Sequence, residues 1–175
     1  MLGSCIVIAV SWRALHHPRS HGFYRFFAFE GVLLLVVLNL PYWFGAPFSP
    51  LHLLSWQVLG LSLLFLFWGV VLLRCLGGVR QKGRPAANLP FENTGLLVTT
   101  GIYRFIRHPM YSSLLLLAWG AFLKHISLFS VVVVGATSLL LYATARAEER
   151  ENLAFFGGVY REYMKRTRMF LPFLF

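Results

Sequence analysis

Leu51 to Leu76 is an unbroken apolar run whose ionisable side chains, His52 and Arg74, stand only near its two ends. A helix of that length crosses roughly 30 Å of hydrocarbon, and chain in lipid must satisfy its backbone polar groups internally, so the run predicts a membrane-spanning helix. Ala28 to Phe48 repeats the pattern with Glu30 alone near its start, and Ile126 to Ala145 carries no charge. Pro109 to Leu123 is a shorter apolar partner ahead of that last run, and the two predict a helical hairpin turning at Lys124-His125. Met1 to Trp12 is too short to cross unless neighbours thin the membrane or its helix continues to His16. With 58% hydrophobic and 13% charged residues, the composition lies far outside that of soluble domains. The expected fold is therefore all-α: a polytopic membrane helical bundle of about five spans.

The net charge of +10 would suit nucleic acid if the basic residues were scattered. They are not. With five spans, one face receives Arg13, Arg19, Arg25, Arg74, Arg80, Lys82, Arg84, Arg104, Arg107, Arg146, Arg150, Arg161, Lys165, Arg166 and Arg168, and the other receives Lys124 alone. The positive-inside rule assigns the crowded face to the cytoplasm, with the C-terminus, and leaves the N-terminus outside. No nucleic acid partner is needed to explain the charge. Cys5 and Cys75 fall near opposite membrane faces in this arrangement, too far apart for a disulfide, and are expected to be free thiols. Leu2-Gly3-Ser4-Cys5 has the outline of a lipoprotein cleavage box, but no basic and apolar stretch precedes it, so coincidence is the simpler reading.

Two polar stretches interrupt the spans. Gly77 to Arg107 is broken by Gly77-Gly78, Gly83, Pro85, Pro90 and Gly95, is too long for a simple connector, and is expected to fold over a site. Arg146 to Asn152 continues the last span as a charged helix until Gly157-Gly158 breaks it. Val159, Tyr160, Tyr163 and Met164 then recur at helical spacing opposite Arg161, Lys165 and Arg168, which predicts an interfacial helix with Leu171 to Phe175 anchoring the tail. Tyr160 and Tyr163 read as interfacial anchors. His16, His17 and His21 have no cysteine or carboxylate nearby, so they read as a solvated basic loop and not as a metal site. Asn39 and Pro41 mark a kink or a polar contact between spans.

Chemistry concentrates at Arg107-His108-Pro109-Met110-Tyr111. A helix starting at Pro109 loses no backbone hydrogen bond there, and its free N–H groups and positive dipole end lie beside His108 and Arg107. Such a terminus suits an anion. Taken singly, His-Pro is often only a helix start, and Glu148-Glu149 only a charged helix end. Residues 88 to 163 nevertheless resemble the isoprenylcysteine carboxyl methyltransferase and phospholipid methyltransferase family as a set: Leu97-Val98, Gly101-Ile102-Tyr103, Arg107 to Tyr111, Glu148-Glu149, and Phe156-Gly157-Gly158-Val159-Tyr160-Arg161-Glu162-Tyr163. The match covers nearly half the chain in order, spacing and residue type.

The resemblance implies an S-adenosylmethionine pocket facing the cytoplasm, enclosed by the last two spans and the polar segments. Carried over by position, cofactor contacts come from Asn88, from Gly95, Leu96, Leu97 and Val98, from Tyr103, from His108, Pro109, Met110 and Tyr111, and from Glu148. Residues 1–76 then supply N-terminal membrane spans, and residues 77–175 form a methyltransferase core with its helical hairpin and interfacial helix, in one structural unit. The implied activity is methyl transfer to a lipophilic acceptor from the membrane, foremost the carboxylate of a prenylcysteine-like or other lipidic molecule. The alternatives are phospholipid N-methylation and a non-catalytic scaffold or transport component of the same fold. Arg107 is the first choice for orienting an anionic acceptor, Arg146 the second, and Glu30 a further candidate for substrate contact because an ionisable group inside a span is costly unless it reaches a cavity. Two positions depart from the family pattern. Gly95 stands where a histidine is common, and Thr144 stands where carboxylate-methylating members carry an arginine, which puts the acid group of the substrate in question.

Overall fold

The computed structural model describes residues 2–18, 20–78 and 94–171. Among them the chain is helical: α1 (Leu2–Leu15), α2 (His21–Asn39), α3 (Pro50–Leu76), α4 (Pro109–Phe122), α5 (Leu128–Phe156) and α6 (Gly158–Arg166), with 3-10 turns at Leu40–Tyr42 and Gly101–Arg104. The starts follow local chemistry. Ser49 accepts the His52 amide ahead of α3, which has Pro50 at its first position, and Ser127 and Ser130 cap α5 reciprocally. The α2 helix stops at Asn39, whose side chain turns back onto the Leu35 carbonyl at 2.9 Å just before Pro41.

Three segments are long and apolar enough to cross a membrane: His21–Tyr42, Pro50–Leu76 and Leu128–Phe156. Gly3–Trp12 and Pro109–Phe122 are shorter apolar helices, so the expectation of five spans has three full-length members in the described residues. The first full-length span starts at His21, not at Ala28, and closes at Tyr42, not at Phe48. Its opening turns place His21, Gly22, Arg25 and Ala28 on the buried face, and the aromatic run between them supplies the apolar bulk. His21 is thus no part of a solvated loop. Its backbone N–H and its Nδ1 both meet the Glu151 carboxylate, at 3.0 and 2.6 Å, tying the start of α2 to the far end of α5. His16 and His17 are exposed, as are the free thiols of Cys5 and Cys75.

The α2 helix lies along α5, α3 lies along α4, and α1 packs on α2. Small and hydroxylated residues make these contacts close, as expected where lipid is as apolar as the helix surface and association depends on packing and interhelical hydrogen bonds. Ser55 and Ser62 of α3 donate to the Gly120 and Ser113 carbonyls of α4 at 2.7 and 2.8 Å. Gly31 of α2 meets Thr137 of α5 so tightly that a β-carbon would sit 2.2 Å from its hydroxyl. One apolar cluster, Val32, Leu35, Ala118, Ala121, Phe122 and Val134, joins α2, α4 and α5. Lys124, in the hairpin turn, is buried with its ammonium 3.4 Å from the Trp56 ring centroid and 5.6 Å from that of Trp43. Those rings replace water for the cation.

Candidate active site

The turn before α4 is shaped by its neighbours on both sides. Gly101 adopts a positive φ of 59°, and a β-carbon there would press to 2.6 Å on Leu72, so any other residue in the turn that carries Tyr103 would strain its backbone and displace the Leu72 side chain. On the other side, residues 167–170 run beside the turn as a strap. Arg107 N donates to Arg168 O at 2.8 Å, His108 N to Met169 O at 3.1 Å, and Arg168 N to Phe105 O at 2.9 Å. Ser112 Oγ adds a bond to Phe170 O at 2.7 Å. The free amides ahead of Pro109 are consumed by this strap, which fixes the entry angle of α4.

Arg107 and Glu149 form the electrostatic centre. Arg107 Nε donates to Glu149 Oε1 at 2.7 Å, while Nη1 reaches the Met164 carbonyl and the carbonyl and hydroxyl of Thr167. Glu149 is only 2% exposed, a burial that a carboxylate tolerates only with strong partners. His108 Nε2 lies 3.6 Å away from the same oxygen and its Nδ1 lies 3.9 Å from Glu148 Oε2. The imidazole stacks on Tyr111 with ring centroids 5.5 Å apart. Tyr163 Oη donates to the Tyr103 carbonyl at 2.7 Å, and burial raises the pKa of both Tyr160 and Tyr163 well above the ordinary tyrosine range. Both phenols stay protonated donors.

Apart from Glu149, Met164 and Thr167, these groups border one cavity of 60 Å³, which Leu73, Thr94, Asn152 and Phe156 complete. Leu97, Val98, Tyr103, Arg107, His108, Pro109, Met110, Tyr111 and Glu148, all named from the sequence, line it. Gly95 and Leu96 do not; their amides both bond to the Gly77 carbonyl, and the Leu96 side chain is exposed. Asn88 lies outside the described residues, as does the tail from residue 172 onwards. Arg146 is 57% exposed and touches Glu149 at 3.4 Å, and Glu30 accepts from Ser4 of α1, so neither lines the cavity. Tyr160 and Tyr163, read from sequence as interfacial anchors, are buried in its wall. Their helical spacing revealed a face without revealing what the face meets. Asn152 and Phe156 were missed too, although they follow Glu148 at i+4 and i+8 on one face of α5.

The Arg107 to Tyr111 turn, Glu148 and the two α6 tyrosines thus border one cavity. A family model described as phospholipid methyltransferase matches residues 80–160. A methanethiol S-methyltransferase of Pseudomonas deceptionensis is 30% identical over 156 residues, covering 79% of this chain and 56% of that protein. The chain belongs to the phospholipid and isoprenylcysteine methyltransferase family. Within this family, a methanethiol S-methyltransferase of Mycobacterium tuberculosis is 29% identical over 63% of this chain and 47% of its own length. A probable protein-S-isoprenylcysteine O-methyltransferase of Oryza sativa subsp. japonica is 33% identical over 48% of this chain and 44% of its own length. The chain spans about half the length of the curated relatives it matches. No solved structure matches it. Family membership and three apolar helices of spanning length make this an integral membrane protein of a methyltransferase family.

Proposed function

We propose that the chain is an S-adenosylmethionine-dependent methyltransferase whose acceptor is an apolar thiol entering from the membrane. The observation that carries this is the state of Arg107. It is the only lysine or arginine among the described residues lining the cavity, and its guanidinium is engaged by Glu149 and by the Met164 and Thr167 carbonyls. Among the described residues, a carboxylate acceptor would find no lysine or arginine there that is not already hydrogen-bonded. The preference for a prenylcysteine-like carboxylate, drawn from sequence, therefore gives way to a neutral acceptor with an acidic proton. The relatives named methanethiol S-methyltransferase support the same choice, since they align with the larger share of this chain.

The chemistry of the lining residues suits the donor. The buried His108 Nε2 has no hydrogen-bond partner among the described residues, and the same imidazole borders the cavity. Glu148 would accept hydrogen bonds from ribose hydroxyls or an amino group, and Tyr111, Phe156 and Tyr160 offer ring faces to adenine or to a sulfonium. Bound S-adenosylmethionine supplies a methyl carbon already activated by its sulfonium. The protein's own contributions are alignment, exclusion of water and removal of the thiol proton. His108, with Glu148 beside Nδ1 and Glu149 beside Nε2, is the group we assign to hold that proton; the sulfur it leaves behind is the nucleophile. Five crossings, with this pocket on the cytoplasmic face and the N-terminus outside, complete the reading: the shorter α1 and α4 pair with full-length neighbours, and the basic residues gather on the pocket side.

Labelled S-adenosylmethionine incubated with the purified chain and a set of alkylthiols, prenylcysteines and phospholipids tests the acceptor. Labelled thioether is expected, and labelled ester or methylated amine as the sole product would overturn the thiol assignment. Calorimetric titration with S-adenosylmethionine tests the donor separately. Glu148→Ala is expected to weaken binding by about tenfold, the loss typical of a hydrogen bond to a charged group. A chain that binds no S-adenosylmethionine and transfers no label would instead be the scaffold of the same fold.

A further inference from the structure

Beyond the cavity, the outer side of the 3-10 turn at Gly101–Arg104 and the start of the strap frame two open clefts. The larger, 670 Å³, adjoins the inner cavity through Leu97 and Tyr163 and is otherwise lined by Thr99, Arg104, Val159, Glu162, Arg166 and Thr167. The smaller, 260 Å³, adds Phe105, Lys165 and Arg168 and shares Arg104, Arg166 and Thr167 with the first. Arg104 and Arg166 therefore stand on the ridge between two clefts. The local charges do not cancel. Glu162 is paired with Lys165 at 2.7 Å, whereas no carboxylate forms an ion pair with Arg104, Arg166 or Arg168 among the described residues. Apolar groups border the cations: Phe105 is 47% exposed, and Val159 is 67% exposed on the same helix as Arg166.

We propose that this double cleft binds the phosphate-bearing headgroup of an anionic phospholipid. The guanidinium groups of Arg104, Arg166 and Arg168, none of them in an ion pair among the described residues, supply the forked donors that a phosphate diester accepts, and the Thr99 and Thr167 hydroxyls add neutral donors. The exposed Phe105 and Val159 match acyl and glycerol surface, which a soluble phosphate lacks. Charge and apolar surface together select a lipid. A headgroup seated here rests against α6 and the strap, the two elements whose inner sides hold Tyr163 and the Arg107 turn.

The test uses the full chain in detergent with equal amounts of phosphatidylglycerol and phosphatidylcholine, and reads the retained lipids by native mass spectrometry. Retention of phosphatidylglycerol about tenfold or more above phosphatidylcholine is expected, falling as salt is raised, because each arginine near a surface contributes about fivefold to anionic lipid binding. The double substitution Arg104→Gln with Arg166→Gln is expected to abolish the preference while helical content stays constant. Equal retention of the two lipids by the unaltered chain would overturn the proposal, whether or not the double variant folds. So would retention that is selective but identical in a folded variant. Inorganic phosphate at millimolar concentration serves as the competing source: its displacement of the lipid at equal concentration would make this a free-anion site and reject the lipid assignment.

Discussion

At the scale of single residues, Arg107 shows how one side chain can serve several partners in ways a lysine cannot. Its Nε and Nη1 point in different directions, one to the buried Glu149 carboxylate and the other to the carbonyls of Met164 and Thr167. An ammonium, a compact point charge without the planar fork, does not reproduce this divergent geometry. Arg107→Ala strands the Glu149 carboxylate and is expected to cost about 3 kcal/mol or more in thermal unfolding; Arg107→Lys should recover only part of it. Tyr163 makes a different prediction, because burial raises its phenol pKa above the ordinary value near 10. The folded protein then holds the proton that the unfolded chain loses, so the stabilisation is complete below about pH 10 and declines above it. Tyr163→Phe should flatten that alkaline decline in melting temperature while losing about 1 kcal/mol at neutral pH from the bond to the Tyr103 carbonyl.

At the scale of elements, the apolar runs were legible because lipid imposes length and composition on a helix before packing has any say. The α3 helix begins within a residue of the expected start and ends at Leu76 as the run predicts, and the hairpin turn at Lys124-His125 falls between α4 and α5. The start of α2 was hidden. His21 to Phe27 mixes a histidine and an arginine with aromatic residues, and the pairing of His21 with Glu151, which ties its start to α5, is distant in sequence. Lys124 was read as the lone charge of the outer face, and nothing in its neighbourhood in sequence announces that Trp43 and Trp56 receive it. Gly31 gives the matching test of helix packing. Gly31→Leu forces α2 away from Thr137 and is expected to lower the melting temperature by several degrees, corresponding to roughly 1–3 kcal/mol of overpacking, with Gly60→Leu, which meets open space, as the control.

For the whole molecule, the site draws on each helix from α3 onwards: Leu73 from α3, the turn before α4 and the first residues of α4, the acidic end of α5, and the tyrosines of α6. The motif residues were visible because their chemistry is unusual in an apolar chain. The strap at 167–170 was not, since it acts through backbone groups that any sequence supplies. Arg168→Pro removes the amide that bonds to Phe105 O without touching the cavity lining. Its expected effect is a loss of S-adenosylmethionine affinity of about tenfold, with helical content by circular dichroism unchanged, because misplacing a binding group by an ångström is enough to forfeit that factor. The strap also orders events during biosynthesis. The Arg107 turn emerges some sixty residues before Thr167, Arg168 and Met169, so it lacks its backbone partners while α4 and α5 are being synthesised. On the function proposed above, the methyl-donor pocket is therefore completed only after the hairpin that walls it has been made.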